Sequence, residues 1–236
     1  MRTKLLKAAT GQSANQDVAV IVRPVLCRPF VGRRVELSYL KERRLEAGAS
    51  RGGMIFIAGD AGLGKSRLID EFCRSLAYSR WRITHGPCRE YGGRPYGPIL
   101  DALSSIDPNA AQLTAADSKR QYFDAIVERF AEISSRKALV VVIEDLHWAD
   151  AATLDLLAYL GSKIDRMRML LLASFRPDDL HFEHPAAAGI QKAERSSRAG
   201  RIDLTPLHGI DLRTFIDEAL SGFALDDDRR RAIALA

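Results

Sequence analysis

The sequence has few cysteines and no apolar run long enough to span a bilayer. Its three cysteines, Cys27, Cys73 and Cys88, form no C-x-x-C pair and no spacing with histidines typical of a zinc site. We therefore exclude a zinc finger and a disulfide scaffold and expect reduced thiols. The longest apolar runs, residues 138–143 and 169–175, have the length of strands. Since the apolar stretch after the charged amino terminus is too short for a signal peptide, we predict a cytoplasmic protein.

The sequence also lacks an excess of positive charge beyond its first 50 residues. The net charge is +5, but residues 1–50 hold ten Lys and Arg against four Asp and Glu, which leaves 25 against 26 for the remainder. The 47% hydrophobic and 28% charged content is typical of a globular protein. We predict a basic, mobile leader over residues 1–28. The alternative is that this segment touches nucleic acid or an acidic partner.

One stretch matches G-x-x-x-x-G-K-[ST], the phosphate-binding loop called Walker A. An apolar run at 54–58, typical of a buried strand, precedes it, and a helical pattern follows, so the motif has the context that it needs. In such a loop, glycines let successive backbone N–H groups face one point, where phosphate oxygens bind. The predicted nucleotide-binding residues here are Gly59, Asp60, Ala61, Gly62, Leu63, Gly64, Lys65, Ser66 and Arg67. We assign Lys65 to the β- and γ-phosphates and the Ser66 hydroxyl to Mg²⁺. The competing interpretation is a glycine-rich turn that binds nothing.

Strand and helix patterns alternate along the rest of the chain. Apolar or β-branched runs at 81–85, 138–143 and 168–174 indicate strands, and a weak fifth strand is predicted at 201–204. Amphipathic helices are predicted between them, one of them capped by Asp150. This alternation predicts an α/β fold, a three-layer sandwich of the P-loop NTPase type with a parallel five-stranded sheet. Ligands of such sheets bind at the carboxyl ends of the strands.

Two acidic residues follow the most apolar strand. Hydrolysis of a nucleoside triphosphate needs an acidic group for magnesium and a group that orients the attacking water. We assign Glu144 to magnesium, directly or through water, and Asp145 to the water. The alternative is that both carboxylates only cap the strand.

Arg176 ends the next predicted strand and is our candidate for stabilising γ-phosphate charge. Its alternative is a surface or ion-paired arginine. His147 and Trp148 follow the acidic pair closely in sequence. We expect Trp148 to pack in the core, and the sequence leaves the role of His147 open.

Four stretches together resemble the AAA-type ATPase domain of STAND signalling ATPases, the nucleotide switches of large LuxR-type regulators and adenylate cyclase-associated proteins. They are Phe30-Val31-Gly32-Arg33 with Glu36, the phosphate loop, the run from Ile143 to Asp150 (IEDLHWAD) and Ala173-Ser174-Phe175-Arg176-Pro177. The resemblance covers residue 29 to the carboxyl terminus. It implies the sheet order 5-1-4-3-2, with the arginine-bearing strand between the phosphate-loop and acidic strands. It also implies that Val31, Gly32 and Arg33 lie near adenine.

This sequence departs from the family pattern in two respects. The chain stops before the Gly-Asn-Pro stretch and the remaining lid that such proteins usually carry, and its water-orienting residue is Asp rather than Glu. We therefore expect an ATPase core at 29–208 and the start of a C-terminal helical lid at 209–236, as in a truncated module of a larger protein. The predicted activity is slow, Mg²⁺-dependent ATP hydrolysis in a nucleotide switch for signalling or transcription regulation, with ATP/ADP and Mg²⁺ as cofactors.

Two other functions stay open at this stage. One is a DNA-associated ATPase similar to origin-recognition proteins, which share the amino-terminal motif; the near-neutral body counts against it. The other is a small-molecule kinase, against which the acidic pair argues because it suits water as the acceptor. Expected partners are nucleotide, output domains outside this chain and a nucleotide-dependent oligomer. Nucleic acid is expected only through the leader or a further domain, and no membrane is expected.

Overall fold

A computed structural model describes residues 30–77, 79–91, 93–108, 118–180 and 184–219. Five parallel strands form one sheet in the order β2-β3-β4-β1-β5. Their bounds are β1 Gly53–Ala58, β2 Arg82–His85, β3 Leu139–Ile143, β4 Met169–Phe175 and β5 Ala199–Asp203. This is the predicted order, and β4 lies between the phosphate-loop strand and the acidic strand as expected.

The described part of the chain contains seven α-helices. They are α1 Arg34–Gly48, α2 Lys65–Arg74, α3 Gly97–Ser104, α4 Lys119–Arg136, α5 Ala151–Gly161, α6 Pro185–Glu194 and α7 Gly209–Ala219, of which α2 to α6 lie between strands. Short 3-10 turns at Leu146–Trp148 and Ile164–Arg166 precede and follow α5. None of these helices is long and apolar enough to cross a bilayer.

The sheet separates two apolar clusters because successive side chains of a strand point to opposite faces. Met54 and Phe56 of β1 face one cluster, which the residues of α3 to α6 complete. Ile55 and Ile57 face the other, which α1 and α2 cover. Every residue of β1, β3 and β4 is buried, whereas β2 and β5 are partly exposed at the edges. The continuous apolar runs in the sequence therefore mark the three central strands.

Several predicted boundaries differ from the structure by one or two residues. The fifth strand begins at Ala199 rather than at Arg201, because each of the residues 199–203 pairs with a residue of β1. Helix α2 ends at Arg74, and Leu76, which is also buried, lies just beyond it. Asp150 caps α5 as predicted, since its Oδ1 accepts a 2.9 Å hydrogen bond from the Thr153 N–H.

The predicted leader, residues 1–28, and the part of the predicted lid after residue 219 lie outside the described residues. The predicted lid start at residue 209 coincides with the first residue of α7. The division into core and lid stays a prediction.

Candidate functional site

The predicted phosphate loop connects β1 to α2 at the carboxyl edge of the sheet. Gly64 has a φ of 90°, a left-handed conformation that other residues adopt only with strain. Gly59 is needed for a different reason: a Cβ there would lie 3.1 Å from the Cβ of Leu204, just after β5. The glycine positions of the motif thus match the backbone that the loop adopts.

Lys65 is the first residue of α2, and only 7% of it is exposed. Its Nζ donates hydrogen bonds to the carbonyl oxygens of Gly59 and Asp60, the second at 2.9 Å. Burial lowers the pKa of this ammonium group, and the nearby guanidinium of Arg176 lowers it further. The carboxylates of Asp145, Asp60 and Asp179 act in the opposite direction. Lys65 therefore has charged groups from three separate segments around it.

The acidic pair follows β3. Glu144 is buried, at 6% exposure, and Asp145 adopts a left-handed conformation with φ 60° and ψ 49°. The Asp145 N–H donates a 3.2 Å hydrogen bond to the Oγ of Ser174, which is buried in β4. The sequence-based assignment gave Ser174 no role of its own. The sequence feature that could have identified Ser174 is a hydroxyl group in an otherwise apolar strand. That strand, β4, lies beside β3, which the acidic pair follows.

Arg176 lies just beyond β4, at the same edge of the sheet as Lys65. Its Nη1 is 3.6 Å from Oδ2 of Asp179, and its guanidinium lies 5.8 Å from the ring centroid of Trp148. Trp148 is half-buried and packs, as predicted, against the core, in the apolar cluster between the sheet and helices α3 to α6. Asp179 was not predicted as a site residue, because its three-residue spacing from Arg176 in a polar loop carries no distinctive pattern.

His147 lies in the 3-10 turn after Asp145 and is almost completely buried, at 2% exposure. Neither ring nitrogen has a hydrogen-bond partner among the described residues. Nε2 is 3.5 Å from Oδ2 of Asp179, a distance of electrostatic contact without hydrogen-bond geometry, and the ring lies 4.7 Å from that of Trp148. Burial lowers the pKa of His147; Asp145 and Asp179 raise it, and Arg176 and Lys65 lower it. The ring is therefore neutral near pH 7.

The amino-terminal motif reaches the phosphate loop through Arg33. Its Nη2 donates to the carbonyl oxygens of Leu63, at 3.3 Å, and of Thr205, and its Nη1 lies 3.2 Å from Glu36. Gly32 has a φ of 68°. A Cβ there would lie 3.0 Å from Leu207 and 3.1 Å from Asp211 of α7, close enough to displace them. The motif thus contacts both the loop and the segment that enters α7. Val31 is half-buried.

Ser66 and Glu144, which both follow strands at this edge, carry the kind of oxygen atoms that a magnesium ion bound together with phosphate would use. The described residues contain no group of three or more His, Cys, Asp or Glu side chains able to hold a metal alone. Mg²⁺ does not need such a cage, since it usually takes one or two protein oxygens with phosphates and water. Glu144 is within electrostatic range of Cys73 on α2, the helix that begins with Lys65 and Ser66.

The cysteines play a structural role here. Burial raises the pKa of both Cys73 and Cys88 to about 12, so neither is a nucleophile near neutral pH. The backbone N–H of Cys88 donates a 3.0 Å hydrogen bond to the carbonyl oxygen of Glu144. Cys27 lies outside the described residues.

Two shallow cavities lie at the opposite edge of the sheet, at the amino ends of the strands. They measure about 260 and 220 Å³ and share Arg136 and Lys137. Cationic side chains dominate their lining: Arg80, Arg82, Arg129, Arg136, Lys137 and Arg168. The two carboxylates of the lining, Asp107 and Glu132, form ion pairs with Arg129, and Glu132 also pairs with Arg136. We call this surface the basic edge.

Residues 29–172 match the family of AAA ATPase domains. The chain belongs to this family. A relative in Rhizobium meliloti (strain 1021), an uncharacterized protein, is 26% identical; the match covers 63% of this chain and 19% of that protein. The chain thus corresponds to about a fifth of that relative's length.

Solved structures share the fold of this AAA ATPase domain. The Aeropyrum pernix ORC1 protein, in complex with DNA, has a TM-score of 0.61 at 15% identity, over 89% of this chain and 56% of that chain. Cdc6p from Pyrobaculum aerophilum gives 0.56 at 13% identity, over 89% and 57%. A STAND protein with a tetratricopeptide repeat sensor from Pyrococcus horikoshii gives 0.53 at 16% identity, over 87% and 28%. At these low identities the similarities show a common fold only. They do not show that this chain binds the partners of those proteins.

Proposed function

We propose that this AAA ATPase domain is an ATP-binding, slowly hydrolysing nucleotide switch of a signalling or transcription-regulatory protein. The observation that carries the proposal is the convergence of charged groups around Lys65: Asp60 of the loop, Asp145 after β3, and Arg176 and Asp179 after β4 all act on its pKa. A glycine-rich turn that binds nothing has no need of a buried lysine with aspartates and an arginine beside it.

Each residue has a separate part in the proposed reaction. The loop N–H groups and Lys65 bind the β- and γ-phosphates. Ser66 and Glu144 would hold Mg²⁺, which would neutralise charge on the phosphate oxygens. Asp145 orients a water molecule and accepts its proton as the water attacks the γ-phosphorus, while the bond from that phosphorus to the β–γ bridging oxygen breaks and ADP leaves. Arg176 stabilises the charge that develops on the transferred group. The short side chain of Asp145 suits slow turnover, as a switch requires.

Adenine would lie beside the amino-terminal motif. The side chain of Arg33 already binds the carbonyl oxygens of Leu63 and Thr205. We therefore assign recognition of the base to Val31 and to the backbone of Gly32 and Arg33. The guanidinium of Arg33 acts on the nucleotide through the loop. Nucleotide state then reaches α7 and any attached output domain through Thr205, Leu207 and Asp211.

Nucleotide affinity and turnover test these assignments separately. We expect Lys65→Ala to abolish binding of ATP with Mg²⁺, measured by titration calorimetry, whereas Lys41→Ala, an exposed lysine of α1, leaves it unchanged. Asp145→Asn should keep binding and lose phosphate release. Unchanged hydrolysis in Asp145→Asn refutes the role given to that residue. Phosphate release without any added acceptor rules out the small-molecule kinase.

A DNA-associated ATPase is the second candidate, and the basic edge is the observation that favours it. No carboxylate pairs with Arg80 or Lys137 among the described residues. Fluorescence anisotropy with a labelled DNA duplex at several salt concentrations tests this function. If DNA binds at the basic edge, the double substitution Arg80→Ala and Lys137→Ala should reduce the salt dependence of the DNA affinity by the equivalent of about two phosphate contacts. Arg195→Ala, at the end of α6, is the control. Lack of binding at low salt eliminates the candidate.

A further inference from the structure

We propose that Asp179 is a positioning residue that binds Arg176 when no γ-phosphate is present and moves to His147 when Arg176 turns to a γ-phosphate. This inference rests on the proposed function, because it concerns the same nucleotide site. It assigns a role to a carboxylate that the sequence did not single out and to a buried histidine that the proposed reaction does not use.

The contact between Asp179 and Arg176 is weak enough to be exchanged. Their nearest atoms are 3.6 Å apart, and the two side chains are 46% and 35% exposed. Pairs of this kind contribute little, because solvent screens them and two long side chains must be ordered. A phosphate group offers the guanidinium shorter, bidentate bonds. Arg176 also lies close enough to Lys65 to lower the pKa of its ammonium group, so the γ-phosphate would bind within its electrostatic range.

His147 provides the second partner for Asp179. Its ring is buried, and neither nitrogen has a hydrogen-bond partner in the part of the chain that the structure describes, which is an unfavourable arrangement for polar atoms. Nε2 is already 3.5 Å from the same Oδ2 atom that faces Arg176. A shift of Asp179 by well under 1 Å would bring this pair to hydrogen-bond distance. The contact with His147 therefore offsets only part of what Asp179 loses when Arg176 turns away.

The exchange changes the charge around His147. The groups that face it are the carboxylates of Asp145 and Asp179 and the cations of Arg176 and Lys65. When Arg176 moves towards phosphate, one cation leaves and Asp179 comes closer. Both changes raise the pKa of His147, so the triphosphate state should bind a proton more readily than the diphosphate state.

Trp148 reports on the exchange directly. Its ring contacts the imidazole of His147 and lies under the guanidinium of Arg176. The chain has two tryptophans, and Trp81→Phe leaves Trp148 as the single tryptophan, which can be excited separately from the tyrosines. In this variant we expect a non-hydrolysable ATP analogue with Mg²⁺ to change the emission of Trp148 more than ADP does.

The decisive measurement is made in the Trp81→Phe variant with fluorescent nucleotides. It is the ratio of the affinity for the ATP analogue to the affinity for ADP. We expect Asp179→Asn to favour the analogue by roughly two- to fivefold, the range of an exposed ion pair. The effect should vanish in an Arg176→Ala background, because no guanidinium is then restrained. Asp165→Asn, an exposed aspartate near the other edge of the sheet, is the matched control. Circular dichroism checks that each variant is folded.

Two results overturn the inference. The first is an equal change of both affinities in Asp179→Asn, and the second is persistence of the Asp179→Asn effect without Arg176. In both cases the chain still binds nucleotide, so the proposed function stands. If the Trp81→Phe variant without further substitutions binds neither nucleotide, the proposed function and this inference fail together.

Discussion

Replacement of Ser174 by alanine should impair hydrolysis without impairing nucleotide binding. The Oγ of Ser174 accepts a 3.2 Å hydrogen bond from the backbone N–H of Asp145. Asp145 adopts a left-handed conformation, which costs roughly 1–2 kcal/mol for a residue with a side chain. The hydrogen bond that Asp145 donates to β4 is one contact that holds this conformation. Ser174→Ala removes the acceptor and leaves the N–H unpaired.

The expected magnitudes follow from these contacts. An unsatisfied N–H of this kind costs about 1–3 kcal/mol, so the free energy of unfolding should fall by that amount. Relaxation of the Asp145 backbone would displace its carboxylate, and a displacement near 1 Å lowers turnover by roughly 10²-fold. We therefore expect kcat to fall about 10- to 100-fold. The affinity for ATP should stay the same, because Lys65 and the loop are unchanged.

Chemical denaturation, calorimetric titration of ATP and phosphate release give the three quantities. Ser134→Ala is a matched control, since Ser134 is also 1% exposed but its hydroxyl donates to the Ala131 carbonyl within α4, remote from the site. It should lower stability slightly and leave kcat unchanged. Unchanged kcat in Ser174→Ala, or a loss explained entirely by weaker ATP binding, would refute the reasoning.

Two further predictions concern the ends of the site. Arg33→Ala should weaken the binding of ATP and ADP alike, by roughly tenfold, because the Leu63 carbonyl then loses its hydrogen bond from a charged group. Calorimetric titration of both nucleotides measures this effect. Arg34→Ala, which changes an exposed residue of α1, is the control and should bind both nucleotides normally. His147 should make stability depend on pH: its pKa is lowered in the folded protein, so the unfolded chain binds more protons and the free energy of unfolding should decrease as pH falls below about 6.5. Denaturation between pH 5 and 7.5 should show a smaller dependence in His147→Gln, and an identical dependence would contradict this account.

The sequence predicted the scaffold well because its signals are local. The buried strands β1, β3 and β4 are continuous apolar runs, and the cap at Asp150 lies three residues from its donor. The order of the strands came from the family resemblance, and the structure confirms it.

The sequence could not predict the contacts that connect distant segments. Arg33 meets the carbonyl of Thr205 across 172 positions, and Asp145 meets Ser174 across 29. Which hydroxyl or carbonyl is reached depends on how the strands align, and no residue pattern encodes that directly. Asp179 shows the same limit, because its importance comes from the buried ring of His147 rather than from its own neighbours in sequence.

The position of β1 in the sheet sets the order in which the protein can mature on the ribosome. Gly53 of β1 aligns with Leu170 of β4, and Met54 aligns with Ala199 of β5. The strand that leads into the phosphate loop therefore waits for more than 100 further residues to be synthesised before either neighbour exists. During that interval its apolar residues have no sheet to enter, which makes the nascent chain vulnerable to aggregation. The strand that leads into the loop is therefore enclosed in the sheet late, only when β4 and β5 have emerged.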